Sequence, residues 1–194
     1  MNKNTNYRIA LTAVLCAQAV ALSFFENLIP PLPFMPPGAK PGFSNLITMF
    51  AAGSLGFSQA LIITAVKSGF AFITRGATAA AMSFSGGLLS TIAMYFLMKY
   101  AKKYIGIVGV SVISALCHNA GQLITSCIIT GTSKTLYYAP ALAVFGVVTG
   151  IITGVIFRIL IPALEKQKKY FLKSDIQTGG DENGQGNQGR SYRG

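Results

Sequence analysis

The sequence predicts an all-α, polytopic membrane bundle of about six transmembrane helices, and three observations carry that prediction. Of the 194 residues, 52% are hydrophobic and only 11% charged, too few charges to clothe a soluble domain of this size. Apolar runs near the ~20 residues that a bilayer demands recur along the chain, separated by short polar or proline-rich breaks. The cations are also divided unevenly among those breaks, as the positive-inside rule requires of a multi-pass chain. In a soluble protein, 16 Lys and Arg against 5 Asp and Glu, a formal net charge of +11, would point to nucleic acid. Here the cations flank apolar runs, which assigns them to the membrane surface and excludes nucleic acid as the partner.

The apolar runs fall at about 8–29, 44–57, 58–74, 78–98, 105–130 and 138–161. The first is too long for a signal-peptide core and is followed by ENLIPPLP rather than a small-residue cleavage site, so it is expected to stay attached. It carries Ala13, Ala17 and Ala21 at four-residue spacing, a row of small side chains that lets another helix come close. Packing inside the bundle and docking of a partner both fit such a row. The break IPPLPFMPPGAKPGFSN is stiffened by proline, presents Lys40, and ends in Ser44 or Asn45 as a helix N-cap.

The second run, SNLITMFAAGSLGF, is short for a crossing and leads through GSLGFSQ into the third, so the pair reads as a tight hairpin or a partly re-entrant element. The third run holds Lys67 and ends at Arg75. The fourth contains SFSGGLLS, whose Ser83, Ser85, Gly86, Gly87 and Ser90 make a small polar surface for a neighbouring helix or a ligand. On the fifth, Ser111, Ser114, His118, Gln122 and Thr125 recur at steps of three or four along one helical face, with Asn119 beside them. On the sixth, Gly146, Gly150 and Gly154 with Thr149 and Thr153 between them predict a tight helix contact, within the bundle or with a partner.

A cytoplasmic N-terminus puts Lys3, Arg8, Lys99, Lys102, Lys103, Arg158, Lys166, Lys168, Lys169, Lys173, Arg190 and Arg193 inside, and leaves Lys40, Arg75 and Lys134 outside. Both termini are then cytoplasmic in a cell-membrane protein. EKQKKYFLK, directly after the last run, is suited to anionic lipid. We expect a membrane domain over 1–170 and, over 171–194, a disordered polar tail rich in Gly, Gln and Asn.

Ionisable groups inside a span are expensive, about 2.5–3.5 kcal/mol each at the centre on insertion scales, so they face protein or water. Lys67 and His118 lie deep, Glu26 closes the outer end of the first run, and Lys40, Asn45 and Arg75 gather toward the same side. Lys67 has two readings, an ion pair with Glu26 or a contact to an anionic substrate. The expected substrate-binding set is Glu26, Lys40, Asn45, Lys67, Arg75, Ser85, Gly86, His118, Asn119 and Gln122, around a cavity opening outward. Cys16, Cys117 and Cys127 are expected to be free thiols, and with one histidine in the chain no zinc-ligand spacing occurs. No cofactor, metal or catalytic residue is expected.

Together, PPGAKPGFSNLITMFA after the first run, SFSGGLLS in the fourth and GVSVISALCHNAGQL in the fifth resemble the Gx transporter family, also labelled heptaprenyl diphosphate synthase component I. The resemblance spans roughly residues 8–160. That family looks like the S components of energy-coupling factor (ECF) transporters, small six-helix membrane proteins that capture a micronutrient outside. It implies a transmembrane T subunit and two cytoplasmic ATPases as partners, the Ala13, Ala17 and Ala21 row as the face that meets the T subunit, and the proline-rich loop as a gate. No G-x-x-x-x-G-K-[ST] motif occurs, so ATP belongs to partner chains. The enzyme label fares worse, because prenyl diphosphate chemistry needs magnesium held by clustered aspartates and this chain has only Asp175 and Asp181, both in the tail. A non-enzymatic capture subunit for an anionic or polar micronutrient is therefore expected, with a membrane accessory of isoprenoid or quinone biosynthesis as the alternative. A stand-alone ion-coupled carrier is disfavoured by the lack of a second intramembrane carboxylate and of a visible inverted repeat.

Overall fold

The computed structural model describes residues 3–28 and 42–185, which form helices and tight turns with no strand among them. Six α-helices follow in order: α1 (Lys3–Leu28), α2 (Asn45–Ser54), α3 (Phe57–Arg75), α4 (Ala77–Phe96), α5 (Lys102–Thr130) and α6 (Ala139–Gln185). A π-helical turn, Leu97–Ala101, joins α4 to α5, and a 3-10 turn, Ser133–Tyr138, precedes α6. The expected tail, 171–194, begins inside α6 and ends among residues outside the described set.

Polarity is distributed for lipid rather than water. Ile73, Ile128 and Ile159 are 83%, 74% and 71% exposed, while Ser90, Thr91 and Ser114 are fully buried. A hydrocarbon surround explains both halves of that inversion, because apolar side chains lose nothing there and hydroxyls must find partners inside. The stretches Arg8–Leu28, Phe57–Arg75, Ala77–Thr130 and Ser133–Lys166 are long and apolar enough to cross a membrane. Ala77–Thr130 contains two crossings, since Gly86 meets Gly121 and Ser85 meets Thr125, an antiparallel pairing that puts the reversal near Lys102–Gly106. The chain is a multi-pass membrane protein.

The short second run resolves into α2. Its 10 residues extend about 15 Å at 1.5 Å each, half of a ~30 Å hydrocarbon core, so α2 does not cross by itself. Asn45 through Ala52 are all buried, against α1, α3, α4 and α6. Gly56, with φ 108°, turns the chain into α3, and Gly76, with φ 86°, alone separates α3 from α4.

Helix contacts are close where the sequence is small. A Cβ on Gly87 would lie 2.6 Å from Thr64 Cγ2, and one on Gly121 would lie 2.7 Å from Gly86 Cα. On α6, Cβ atoms at Gly150 and Gly154 would fall 2.6 and 2.9 Å from Val112 Cα and Val108 Cα, so that glycine row packs within the bundle. Ser111 and Thr153 hydroxyls share a hydrogen bond of 2.8 Å across the seam. The apolar core lies toward the opposite end from Glu26, where Leu11, Leu15, Met49, Phe50, Phe157 and Leu164 cluster. Arg8 donates to Leu55 O at 2.5 Å and Phe57 packs on Tyr95 with ring centroids 5.5 Å apart, so the start of α1, the end of α2, the start of α3 and the end of α4 share that end.

Candidate functional site

The polar half of the bundle is organised around the start of α2. Gly42, with φ 83°, makes room there: a Cβ would sit 2.9 Å from Asn45 Nδ2 and 3.5 Å from His118 Cδ2. Ser44 occupies the N-cap position yet forms no capping bond. Its N–H donates to Glu26 Oε1 at 2.9 Å and its hydroxyl to Glu26 Oε2 at 3.2 Å. Ser44 thus holds the expected N-cap position, but its αR backbone, φ −60° and ψ −14°, is not the extended one from which a cap oxygen accepts a first-turn N–H, and its hydroxyl serves Glu26 instead.

Asn45 accepts from Lys67 Nζ at 2.6 Å. Lys67 and Glu26 are both buried, and the direct ion pair between them is replaced by these two separate hydrogen-bonded links. Glu26 is nevertheless near enough for its charge to act on Lys67 and on Arg75, the latter half-buried at the end of α3. His118 and Gln122 stack one turn apart on α5, with Nε2 to Nε2 2.9 Å. His118 Nδ1, Gln122 Oε1, Ser114 Oγ and Thr48 Oγ1 are buried without a hydrogen-bond partner. Leaving buried polar atoms unpaired is costly, and of these residues His118 lies close to Asn45, its ring edge and the Asn45 amide both being near a Cβ built on Gly42. Asn45 also borders a cavity of about 10 Å³, room for roughly one water, with Gly42, Met49, Met94, Ser111, Ala115 and Thr153; neither Lys67 nor His118 borders it, so it is not the outward-opening cavity expected around them.

Lys67 with Asn45, Glu26 with Ser44, and His118 with Gln122 therefore form three neighbouring polar links at the start of α2, Gly42 lying between Asn45 and His118. Other expected members are set apart. Gly86 seats α5: a Cβ there would meet His118 O at 2.7 Å and Gln122 Cγ at 2.9 Å, so a helix rather than a ligand lies on its backbone. Ser85 donates to Gly121 O at 3.1 Å and accepts from Thr125, on the α4–α5 seam. Asn119 donates to Leu142 O at 2.9 Å, facing α6. Lys40 lies outside the described residues. The α5 polar face is thus buried along its length but divided among α6 at Ser111, the interior at Ser114, His118 and Gln122, and α4 at Thr125. Gly42, Ser44 and Thr48 were not singled out as contacts; the glycine within KPGFSN was the available signal for the first.

On the outside of α1, Ala13, Ala17 and Ala21 are exposed, while Leu11, Leu15 and Ala19 face the core. Ala13 also borders a groove of about 360 Å³ between α1 and α3, with Arg8, Thr12, Cys16, Gln59 and Ile62. Cys16, Cys117 and Cys127 are free. Among the described residues, no three His, Cys, Asp or Glu side chains gather as a metal site.

Residues 15–160 match the family of heptaprenyl diphosphate synthase component I. The chain belongs to that family. No curated protein matches it. Among solved structures, this component I family member is similar to the S component of a bacterial ECF transporter, at 18% identity and a TM-score of 0.66, over 84% of this chain and 97% of that one. Its helical bundle is thus an S-component fold, and the resemblance read from the three motifs holds for both family and fold.

Proposed function

We propose that this chain is the substrate-capturing subunit of an ECF-type importer for a small anionic or polar micronutrient, with Lys67 as the principal contact. The observation that supports the reading is the buried ammonium of Lys67 held by Asn45 on the first turn of α2, with His118 close to the same turn across Gly42 and with unpartnered buried polar atoms on His118 and Gln122. Asn45 Oδ1 holds the ammonium of Lys67, and an incoming carboxylate or phosphate exchanges a neutral acceptor for a charged one, a gain of roughly twofold in hydrogen-bond strength. His118 and Gln122 supply a donor or acceptor each, and Glu26 keeps Ser44, and with it the start of α2, in place. Asn45, Lys67, His118 and Gln122 are the substrate contacts, Lys40 and Arg75 outer attractors; Ser85, Gly86 and Asn119 set the helix packing that aims them.

In this reading the basic end is cytoplasmic, both termini lie there, residues 171–194 form a polar cytoplasmic tail, and the cluster faces outward. The Ala13, Ala17 and Ala21 face meets a T subunit, and partner ATPases supply the energy. Native mass spectrometry of the purified protein should reveal a retained small anion, and Lys67→Ala should lower its retention by about tenfold or more while Lys166→Ala leaves it unchanged. Equal retention by both variants would remove Lys67 from the site. The family description favours a second reading, a membrane accessory of isoprenoid or quinone biosynthesis. Recovery with a soluble prenyl synthase, and without ATPases or a T subunit, would select it.

A further inference from the structure

The chain reverses between α4 and α5 with almost no loop, and the reversal leaves a recess at the basic end of the bundle. Gly106, inside α5, has φ 66° and ψ 177°, which breaks the helix. The first amides past such a break lose their i−4 carbonyl and face the surroundings unpaired. Nothing lies within 4 Å of a Cβ built on Gly106, so the broken turn is open. Beside it is a recess of about 440 Å³, lined by Lys102, Ile105, Gly106, Ile107, Val108 and Arg158. That volume falls in the roughly 300–1,000 Å³ range of small-ligand sites.

We propose that this recess between α5 and α6 binds the headgroup of an anionic phospholipid, with Lys102 and Arg158 holding its phosphate. Lys102 and Arg158 are exposed and make no hydrogen bond, ion pair or ring contact among the described residues. Neighbouring Lys99 differs: its ammonium lies 5.8 Å from the Tyr95 ring and 5.2 Å from the Tyr100 ring. Arg158 offers a planar fork that matches a phosphodiester, and Lys102 adds a point charge from the facing helix. Between the two cations the wall is Ile105, Ile107 and Val108, which a soluble anion would leave wet but the glycerol and first methylenes of a lipid would cover. Tyr100 and Tyr104, 62% and 82% exposed at the same reversal, mark the depth at which headgroups lie. The inference rests on the membrane fold and does not depend on the capture function.

The test is native mass spectrometry of the full chain released from bilayers of equal phosphatidylglycerol and phosphatidylcholine. Wild type should retain phosphatidylglycerol in preference, and Lys102→Gln/Arg158→Gln should cut that retention about tenfold. The control pair Lys103→Gln/Lys134→Gln removes the same charge outside the recess and should leave retention unchanged. If the double variant folds poorly, Lys102→Gln alone should still lose most of the preference, since Lys102 is exposed. Undiminished retention in the recess variants overturns the proposal, as does an equal loss in the control pair. A lipid-free sample that holds inorganic phosphate at the recess while showing no lipid preference would also overturn it.

Discussion

Two rows of small residues with the same four-residue spacing meet opposite fates. Gly146, Gly150 and Gly154 on α6 press against α5 so closely that an added methyl at any of them would come within 3 Å of α5 atoms. Ala13, Ala17 and Ala21 on α1 are exposed, with their partner side toward the surroundings. Spacing alone does not separate the two rows; the residues between them do. Thr149 and Thr153 lie beside the glycines and carry hydroxyls that must be bonded inside, whereas the alanine row alternates with Leu11, Leu15 and Ala19, which already fill the core from the other face of α1. An apolar helix with its core obligations met elsewhere has a face to spare.

Thermal unfolding in detergent should break the comparison into graded effects. Gly150→Leu forces a side chain into Val112 and should cost about 3 kcal/mol or more, the upper end of overpacking, so that little folded protein is recovered. Gly150→Ala adds only a methyl and should cost about 1–2 kcal/mol, read as a lowered midpoint. A double-mutant cycle on Ser111→Ala and Thr153→Val should return a coupling near 0.6 kcal/mol, the usual size of an interhelical bond in a membrane bundle. Ala17→Leu should fall within about 0.5 kcal/mol of wild type, as surface changes do. Were it to unfold the protein as Gly150→Leu does, α1 would have no spare face. If stability holds while co-purification with a T subunit is lost, the alanine row is an interface.

Much of this was legible in the sequence because membrane rules are strong. Run length set α1 and α3 through α5 to within about five residues and the start of α6 to within one, but α6 continues to Gln185, past the expected end near 161 and into the stretch expected to be a disordered tail; the glycine row predicted a tight contact without naming its partner helix. The family motifs carried the fold as well. The short run 44–57 could not be placed by hydropathy, since a buried half-length helix has the composition of a crossing one. That Lys67, His118, Gln122 and Asn45 would be buried together was legible, because polar side chains within or beside a span must face protein rather than lipid. The separate placing of Ser85 and Asn119 was not legible, because helical periodicity gives a face within about a turn and these two lie where α5 is shared with α4 and α6. Ser44 escaped for another reason: its capping role was judged from local sequence, and Glu26 is 18 residues away.

α3 passes into α4 through the single residue Gly76, and α4 into α5 through helical turns broken at Gly106. α2 is too short to cross by itself, and α1 holds it at both ends, through Glu26 on Ser44 and Arg8 on Leu55. A displacement of α1 would therefore carry both ends of α2 with it, and Asn45, which accepts from the Lys67 ammonium, rides on the first turn of that helix.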